Sequence, residues 1–470
     1  MSRTITVNPL TRISGFMEIE VKIEKNKVVD AKSSGLLFRG FEKMLIGRSP
    51  FDAIYFTERI CGICSTAHSV TSTLALEDAL EVHPKENDKL LRDIIHGWEF
   101  IQNHLRHFYL FTLPDFVVTP ELEPVSSAGG YDLRLPKALN KKISEDYLEA
   151  IRFSRLAHEG LAVLGGKAPH NHGIFVGGVT EGLDASRLIL LKYLVSEIKA
   201  FINNRMLEDV NIIAHYYKDY FKMGRGFGNL MSYGVFNTYR EKEISYVKPA
   251  VLINGQISPF EQTKITENIY NSWYIGETLQ DNLFGSFTED NMDKAQAYSF
   301  VKAPRYEGHP MEVGPLARMI LSGNYENKIS MMDRTIARVL ETKRVIETIG
   351  GLLERVSFEA VGQRQYEIPE SSKGSGLMDT TRGALGHWVS IENKLINHYN
   401  IITPSVWNCS PTDSKGVRGV IEQALIGTEI QNPEQPVEIG RIVRSYDPCI
   451  SCATHIVSDR FKPMELTICP

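Results

Sequence analysis

The chain has no uninterrupted apolar run of about 18 residues, so no membrane-spanning helix is predicted. Its first residues, MSRTITVNPLTRISG, contain no apolar core long enough for a secretory signal. That places the chain in the cytoplasm, unless a partner carrying a signal exports it or tethers it to a membrane. No block of Lys and Arg occurs, and a net charge of −5 gives no sign of nucleic-acid binding. Low-complexity linkers and internal repeats are missing as well. Cysteine is scarce: six in 470 residues cannot make a disulfide scaffold. What remains, 43% hydrophobic and 23% charged, is the balance of an ordinary soluble globular protein with ample length for a large core.

Periodicity divides the chain. Residues 4–40 alternate in β-formers, and KIEKNKVVDA reads as a hairpin turn. Short helices are expected around Arg39–Gly47 and Ser49–Tyr55. A long helix is expected over Asn87–Thr112, where Leu91, Ile94, Trp98, Ile101, Leu105 and Phe108 form one stripe that Pro114 ends. Similar periodicity marks Glu145–Leu164, Ala185–Asn203 and Lys328–Val356. Between Tyr217 and Thr263 the pattern breaks into short β-like pieces such as YGVF and AVLING. The fold class expected is α+β, mainly helical: an N-terminal β-region (1–55), a helical body (56–455) with a central bundle of long helices, and a short C-terminal tail (456–470), the first two forming a single domain.

Four cysteines fall into two Cys-x-x-Cys pairs, Cys61/Cys64 and Cys449/Cys452, while Cys409 and Cys469 are single. Four thiolates can bind zinc, iron–sulfur, copper(I) or nickel-type centres. Structural zinc is the common use of such pairs, but those pairs usually sit about 15–20 residues apart and staple a small unit. Here almost the whole chain separates them. A thioredoxin-type role is weak too, because neither pair follows a βαβ pattern.

The flanking residues decide. Arg59-Ile60-Cys61-Gly62-Ile63-Cys64-Ser65-Thr66-Ala67-His68 and Asp447-Pro448-Cys449-Ile450-Ser451-Cys452-Ala453-Thr454-His455 come with Phe38-Arg39-Gly40-Phe41-Glu42, nineteen residues before Cys61. Gly165–His170 (GGKAPH), Arg382–Trp388 (RGALGHW) and Thr403–Asn408 (TPSVWN) follow in order. In these motifs, over essentially its whole length, the chain resembles the large, catalytic subunit of nickel–iron hydrogenases.

That resemblance implies an oxidoreductase that cleaves hydrogen heterolytically at a nickel–iron centre, with carbon monoxide and cyanide on the iron. All four cysteines bind nickel, Cys64 and Cys452 also bridging to iron, and Cys449 is the first proton acceptor. His68 hydrogen-bonds a bridging sulfur. Arg382 hangs over the metals with Asp447 as its anionic neighbour. Glu42, His455 and the carbonyl of Ile401 bind a magnesium-type ion. The resemblance also implies cleavage of the tail after His455 by a maturation protease once nickel-insertion proteins have acted, with loss of Cys469. An iron–sulfur small subunit is expected as partner, with further electron-transfer subunits beyond it, since no cysteine motif for a cluster and no flavin site remain here. A relative that kept the fold without the chemistry, like the quinone-site subunit of respiratory complex I, lacks the four cysteines.

Two regions depart from the family. Its usual Arg-Ile-Glu-Gly-His is Arg12-Ile13-Ser14-Gly15-Phe16 here, so the favoured proton-relay glutamate is Ser14, which can pass a proton but cannot hold a charge near neutral pH. Glu18 or Glu20 are candidate substitutes. Asn103 stands where many members carry aspartate, and Thr381 replaces the common proline before the arginine.

Overall fold

The computed structural model describes residues 2–119, 132–277, 283–285, 289–326, 328–359 and 366–453, the side chains of 452 and 453 excepted. Strands β1 (Ser2–Val7), β2 (Met17–Glu24) and β3 (Lys27–Gly35) make an antiparallel meander. Met17, Ile19, Val21 and Ile23 of β2 are buried at every second position, as the alternation requires. The turn between β2 and β3 is Lys25–Asn26, both at positive φ (50° and 63°), the pairing whose twist matches that of the strands.

Helices follow: α1 (Phe41–Leu45), α2 (Asp52–Glu58), α3 (Ser65–Ala79) and α4 (Glu86–Arg106), the last running on as a π-helical turn over His107–Thr112. The apolar stripe expected on α4 is buried along its length. Helix α5 (Lys137–Gly165) starts eight residues before the expected boundary, just after Pro136, and α6 (Ala185–Phe201) and α7 (Leu207–Tyr216) complete this part. Short strands come next. β4 (Ile174–Phe175) pairs with β5 (Gly178–Val179). β6 (Leu230–Ser232), β7 (Ala250–Ile253) and β8 (Gln256–Pro259) form one sheet, and β9 (Ile265–Asn268) pairs with β10 (Ala303–Tyr306). Helices α8 (Pro315–Leu321) and α9 (Met331–Leu353) follow, with Ser330 capping α9 by accepting from the Asp333 amide.

The absence of a side chain lets α4 sit close to two neighbours. A Cβ at Gly97 would lie 2.7 Å from Ile349 of α9, and one at Gly160 of α5 would lie 2.6 Å from the Trp98 ring. With those faces occupied, the polar residues of α4 turn toward the cysteine loops.

The helical body contains a three-stranded antiparallel sheet that periodicity does not reveal: β11 (Ser371–Thr380), β12 (Gly383–Glu392) and β13 (Leu395–Ile402). Nine of the ten residues of β12 are buried, so the strand carries no polar alternation to read. Its hairpin loop with β11 is Thr381–Arg382. Four short helices end the described chain: α10 (Pro404–Asn408), α11 (Val420–Leu425), α12 (Val437–Ser445) and α13 (Ile450–Ala453).

Candidate metal centre

Cys61 and Cys64 lie in the turn between α2 and α3, with Cys64 at the N-cap of α3. Cys449 immediately precedes α13. The Cys61 and Cys449 sulfurs are 3.3 Å apart across 388 residues of sequence, and those of Cys61, Cys64 and Cys449 all lie within 4.8 Å of one another. All three cysteines are buried. Cys452 belongs to α13, but its side chain lies outside the described residues, as do His455, the tail and Cys469.

Backbone contacts explain how the two ends of the chain are joined. Ser14 forms a parallel bridge with Cys449: its amide donates to Pro448 O at 3.2 Å, and its carbonyl accepts from the Ile450 amide at 2.7 Å. Gly15, at φ +87°, leaves no room for a side chain, since a Cβ would lie 2.6 Å from Ser451 N. The Cys449 amide donates to Ser405 Oγ at 2.8 Å. Arg39 spans both loops, donating to Ile60 O and Ser451 O.

Arg382, at the β11–β12 tip, donates through Nε to Asp447 O (2.9 Å) and through Nη2 to Asp447 Oδ1 (3.0 Å). Arg318 of α8, itself paired bidentately with Glu341, holds the same tip by donating to Thr380 O and Thr381 O. Asp447 Oδ2 accepts from Asn103 Nδ2 at 2.8 Å and from Arg338 at 3.4 Å. Burial works against the Asp447 charge, but Arg382, His107 and Arg338 together hold its carboxyl below the ordinary range. It is therefore an anion.

A small cavity of ≈ 10 Å³ borders Cys64 and Cys449, lined also by Ala67, Arg382, Leu385 and Ser405. Two buried donors on its wall, Arg382 Nη1 and Thr381 Oγ1, have no hydrogen-bond partner among the described residues. A buried donor left unpaired costs roughly 1–3 kcal/mol, so the wall calls for an acceptor.

His68, fully buried, is pushed down to about 4 by loss of hydration, with Cys449 pulling up and Arg39 down, so its ring is neutral at ordinary pH. Its Nδ1 lies 3.2 Å from His387 Nε2, and His387 Nδ1 lies 2.8 Å from Tyr399 Oη. Glu42 and Ile401 also meet, the Ile401 amide donating to Glu42 Oε1 at 3.0 Å. Lys302 sits 3.7 Å from both Glu42 and Glu267, and Asn400 donates to Glu267 at 3.2 Å. Burial raises the Glu267 pKa against the pull of Lys302.

Several residues here escape sequence reasoning. Lys302 and Glu267 lie outside every quoted motif and meet Glu42 only through the fold, and His387, inside the quoted Arg382–Trp388 motif, is given no role by the resemblance. Glu99 accepts from the amides of Thr66 (2.7 Å) and Ala67 (2.9 Å), and burial pushes its carboxyl up to about 7. Glu58, 3.1 Å from Asn171, is pushed up to about 8 by the same cause. Glu99, Gln102 and Arg106 did leave a signal, as polar residues at helical spacing around Asn103, which the motif comparison already singles out.

The family model for nickel-dependent hydrogenases matches residues 39–124 and 127–455. The periplasmic [NiFeSe] hydrogenase large subunit of Desulfomicrobium baculatum is 35% identical over 96% of this chain and 95% of its own length. The hydrogenase-1 large chain of Escherichia coli (strain K12) is 31% identical over 97% and 96%. Among solved structures, the [NiFeSe] hydrogenase of Dm. baculatum superposes with a TM-score of 0.92 at 36% identity, covering 97% of this chain and all of that one. That of D. vulgaris Hildenborough, as isolated, gives 0.92 at 37% with the same coverage. Both of these solved structures are named for selenium, whereas all four motif positions here are cysteine. The cytoplasmic expectation is overturned: a relative matched over nearly its full length is periplasmic by name, which points to export. The chain belongs to the nickel-dependent hydrogenase family, as a large subunit that activates hydrogen.

Proposed function

We propose that Cys61, Cys64, Cys449 and Cys452 hold the nickel of the nickel–iron centre, with Cys64 and Cys452 shared with iron. The observation that carries this reading is the convergence of three sulfurs from opposite ends of the chain to within 4.8 Å. Uncompensated thiolates that close repel, and a soft metal cation removes the repulsion. The cavity beside Cys64 and Cys449 supports the iron ligands: the unpaired donors of Arg382 and Thr381 suit cyanide, and the Ala67–Leu385 wall suits carbon monoxide. Structural zinc, closed by its four ligands, needs neither cavity nor idle donors.

A nickel–iron pair bound there supplies the two-electron chemistry that splits hydrogen heterolytically. This chain's residues manage the charge. Cys449 Sγ receives the proton, and the Arg382 guanidinium, kept charged by Asp447, fixes a positive field beside the thiolates. His68 Nδ1 faces His387, leaving Nε2 to donate to a sulfur, which stiffens the thiolate's position. Protons leave by way of Ser14 and water, with Glu99 and Glu58 as neighbouring carboxyls that titrate near neutrality.

Glu42, the Ile401 carbonyl and His455 bind magnesium, with Glu267 and Lys302 setting the charge around it. Residues 1–455 act as one catalytic domain after a maturation protease cuts behind His455, following delivery by nickel-insertion proteins. Electrons pass to an iron–sulfur small subunit and, through it, to further electron-transfer subunits. Purified mature enzyme is expected to contain nickel and iron together and to show infrared bands from metal-bound cyanide and carbon monoxide. Zinc alone, without those bands, would end this reading.

A further inference from the structure

Gln102, Asn103 and Arg106 share one face of α4 at the spacing that makes helical neighbours. Arg106 Nη1 donates to Gln102 Oε1 at 2.6 Å, and Nη2 donates to Asn103 Oδ1 at 2.9 Å. Each amide then reaches a different cysteine loop. Gln102 Nε2 donates to the carbonyl of Ile63, between Cys61 and Cys64, at 3.0 Å. Asn103 Nδ2 donates to Asp447 Oδ2, two residues before Cys449, at 2.8 Å. One guanidinium thus grips both loops through two relays.

The chemistry of the relays is specific. An amide has an acceptor to give Arg106 and a donor to give the loop. A carboxylate at position 103 could accept from Arg106 but would have nothing to donate to Asp447. The same guanidinium is largely buried. Burial and Arg382 weaken its hold on its proton, while Asp447, Cys61 and Cys64 strengthen it, so Arg106 lies within the field of the thiolates. Arginine keeps its charge under such conditions.

We propose that Arg106 is a positioning residue for hydrogen turnover, fixing the spacing between the two cysteine loops and holding a second guanidinium charge beside the thiolates. This rests on the nickel reading above. Removing the charge leaves the thiolates more electron-rich, which shows in the stretching frequencies of diatomic ligands on the metal. Keeping the charge while losing the planar fork loosens the loops instead.

The test compares Arg106→Gln and Arg106→Lys with the wild-type holoenzyme by nickel content, infrared spectrum and hydrogen oxidation. Wild-type enzyme without nickel or bands defeats the nickel reading itself, before Arg106 is at issue. With a normal wild type, Arg106→Gln is expected to move the carbon monoxide and cyanide bands to lower wavenumber and slow turnover ~10-fold. Arg106→Lys is expected to restore the band positions but not the rate. Bands of Arg106→Gln at the wild-type positions overturn the proposal. Should Arg106→Gln take up no nickel, circular dichroism of the unloaded chain decides. A folded chain that cannot be loaded, while Arg106→Lys can, supports the tie; an unfolded chain reduces Arg106 to a structural part and overturns it.

Discussion

Two charge clusters, one at Asp447 beside the cysteine loops and one at Lys302 beside Glu42, are built with opposite surpluses. Around Asp447 one carboxylate is shared by Arg382 and Arg338, with Arg106 joined to it through Asn103. Around Lys302 one ammonium is shared by two carboxylates, Glu42 and Glu267. A fold does not gather uncompensated buried charge for stability, since removing ions from water costs several kcal/mol each. Each surplus is the complement of what the proposal places there: cations beside thiolates and cyanide, anions beside magnesium. The clusters also differ in the direction in which their carboxyls are shifted. Asp447 is held below the ordinary carboxylate range despite burial, whereas burial wins at Glu267 and raises it.

The largest effect should come from breaking the thiolate set that the first cluster faces. Cys449→Ala is expected to drop hydrogen turnover to background, a loss beyond ~10³-fold, with nickel reduced in the purified protein. Normal turnover in that variant sinks the ligand assignment. Next comes the cluster itself. Arg382→Leu strips the main partner from a buried carboxylate, which costs roughly 3–5 kcal/mol, and removes the positive field, for a further ~10²–10³-fold in turnover. Melting temperature and single-turnover rate separate the two. A variant as stable and as fast as wild type would show Asp447 to be neutral, against the reading of its pKa.

The second cluster is sharpened by pH. A carboxyl whose folded pKa is raised gives stability that is full below the ordinary carboxylate range and is lost as pH rises through the folded value. Asp447, held low, gives stability that is present above the ordinary value and lost only in strong acid. Metal-free protein should therefore lose stability on the alkaline side through Glu267 and not through Asp447. Glu267→Gln is expected to flatten the fall of melting temperature above the carboxylate range, and magnesium to flatten it in wild type alone. Equal slopes in the two proteins, with and without magnesium, would dissolve the contrast between the clusters.

What sequence revealed and what it hid follows from how each feature is encoded. The α4 stripe was legible because burial on one helix face repeats every three to four residues. The β2–β3 turn was legible because Lys25 and Asn26 lie between two alternating runs. Strand β12 was hidden because a strand buried on both faces has no polar alternation. The cysteines stood out by their paired spacing, and Arg382, Asp447 and Glu42 only through motif resemblance, while it was the fold that brought Cys61, Cys64 and Cys449 together. Lys302 and Glu267 stayed invisible because β9, β10 and β13 assemble that cluster from residues more than 30 positions apart. The location was misjudged because the first residues were read as an address, whereas a relative that matches nearly the whole chain is periplasmic by name.

Ser14 is where the smallest effect is expected, because its backbone and side chain do different jobs. The backbone bridges Cys449, and that is independent of side-chain identity. The hydroxyl lies 3.5 Å from Ser451 Oγ, a contact too long to hold anything firmly. A hydroxyl can relay a proton but cannot store one near neutral pH, whereas a carboxyl can. Ser14→Glu is therefore expected to leave nickel content and the infrared bands unchanged while altering hydrogen–deuterium exchange by about 2–5-fold, a modest change for one added acid–base group. An altered metal centre would mean that the side chain, too, shapes the Cys449 loop. An unaltered exchange rate would take the Ser14 hydroxyl out of the proton route and leave that work to the carboxyls of Glu99 and Glu58 behind the first cysteine pair.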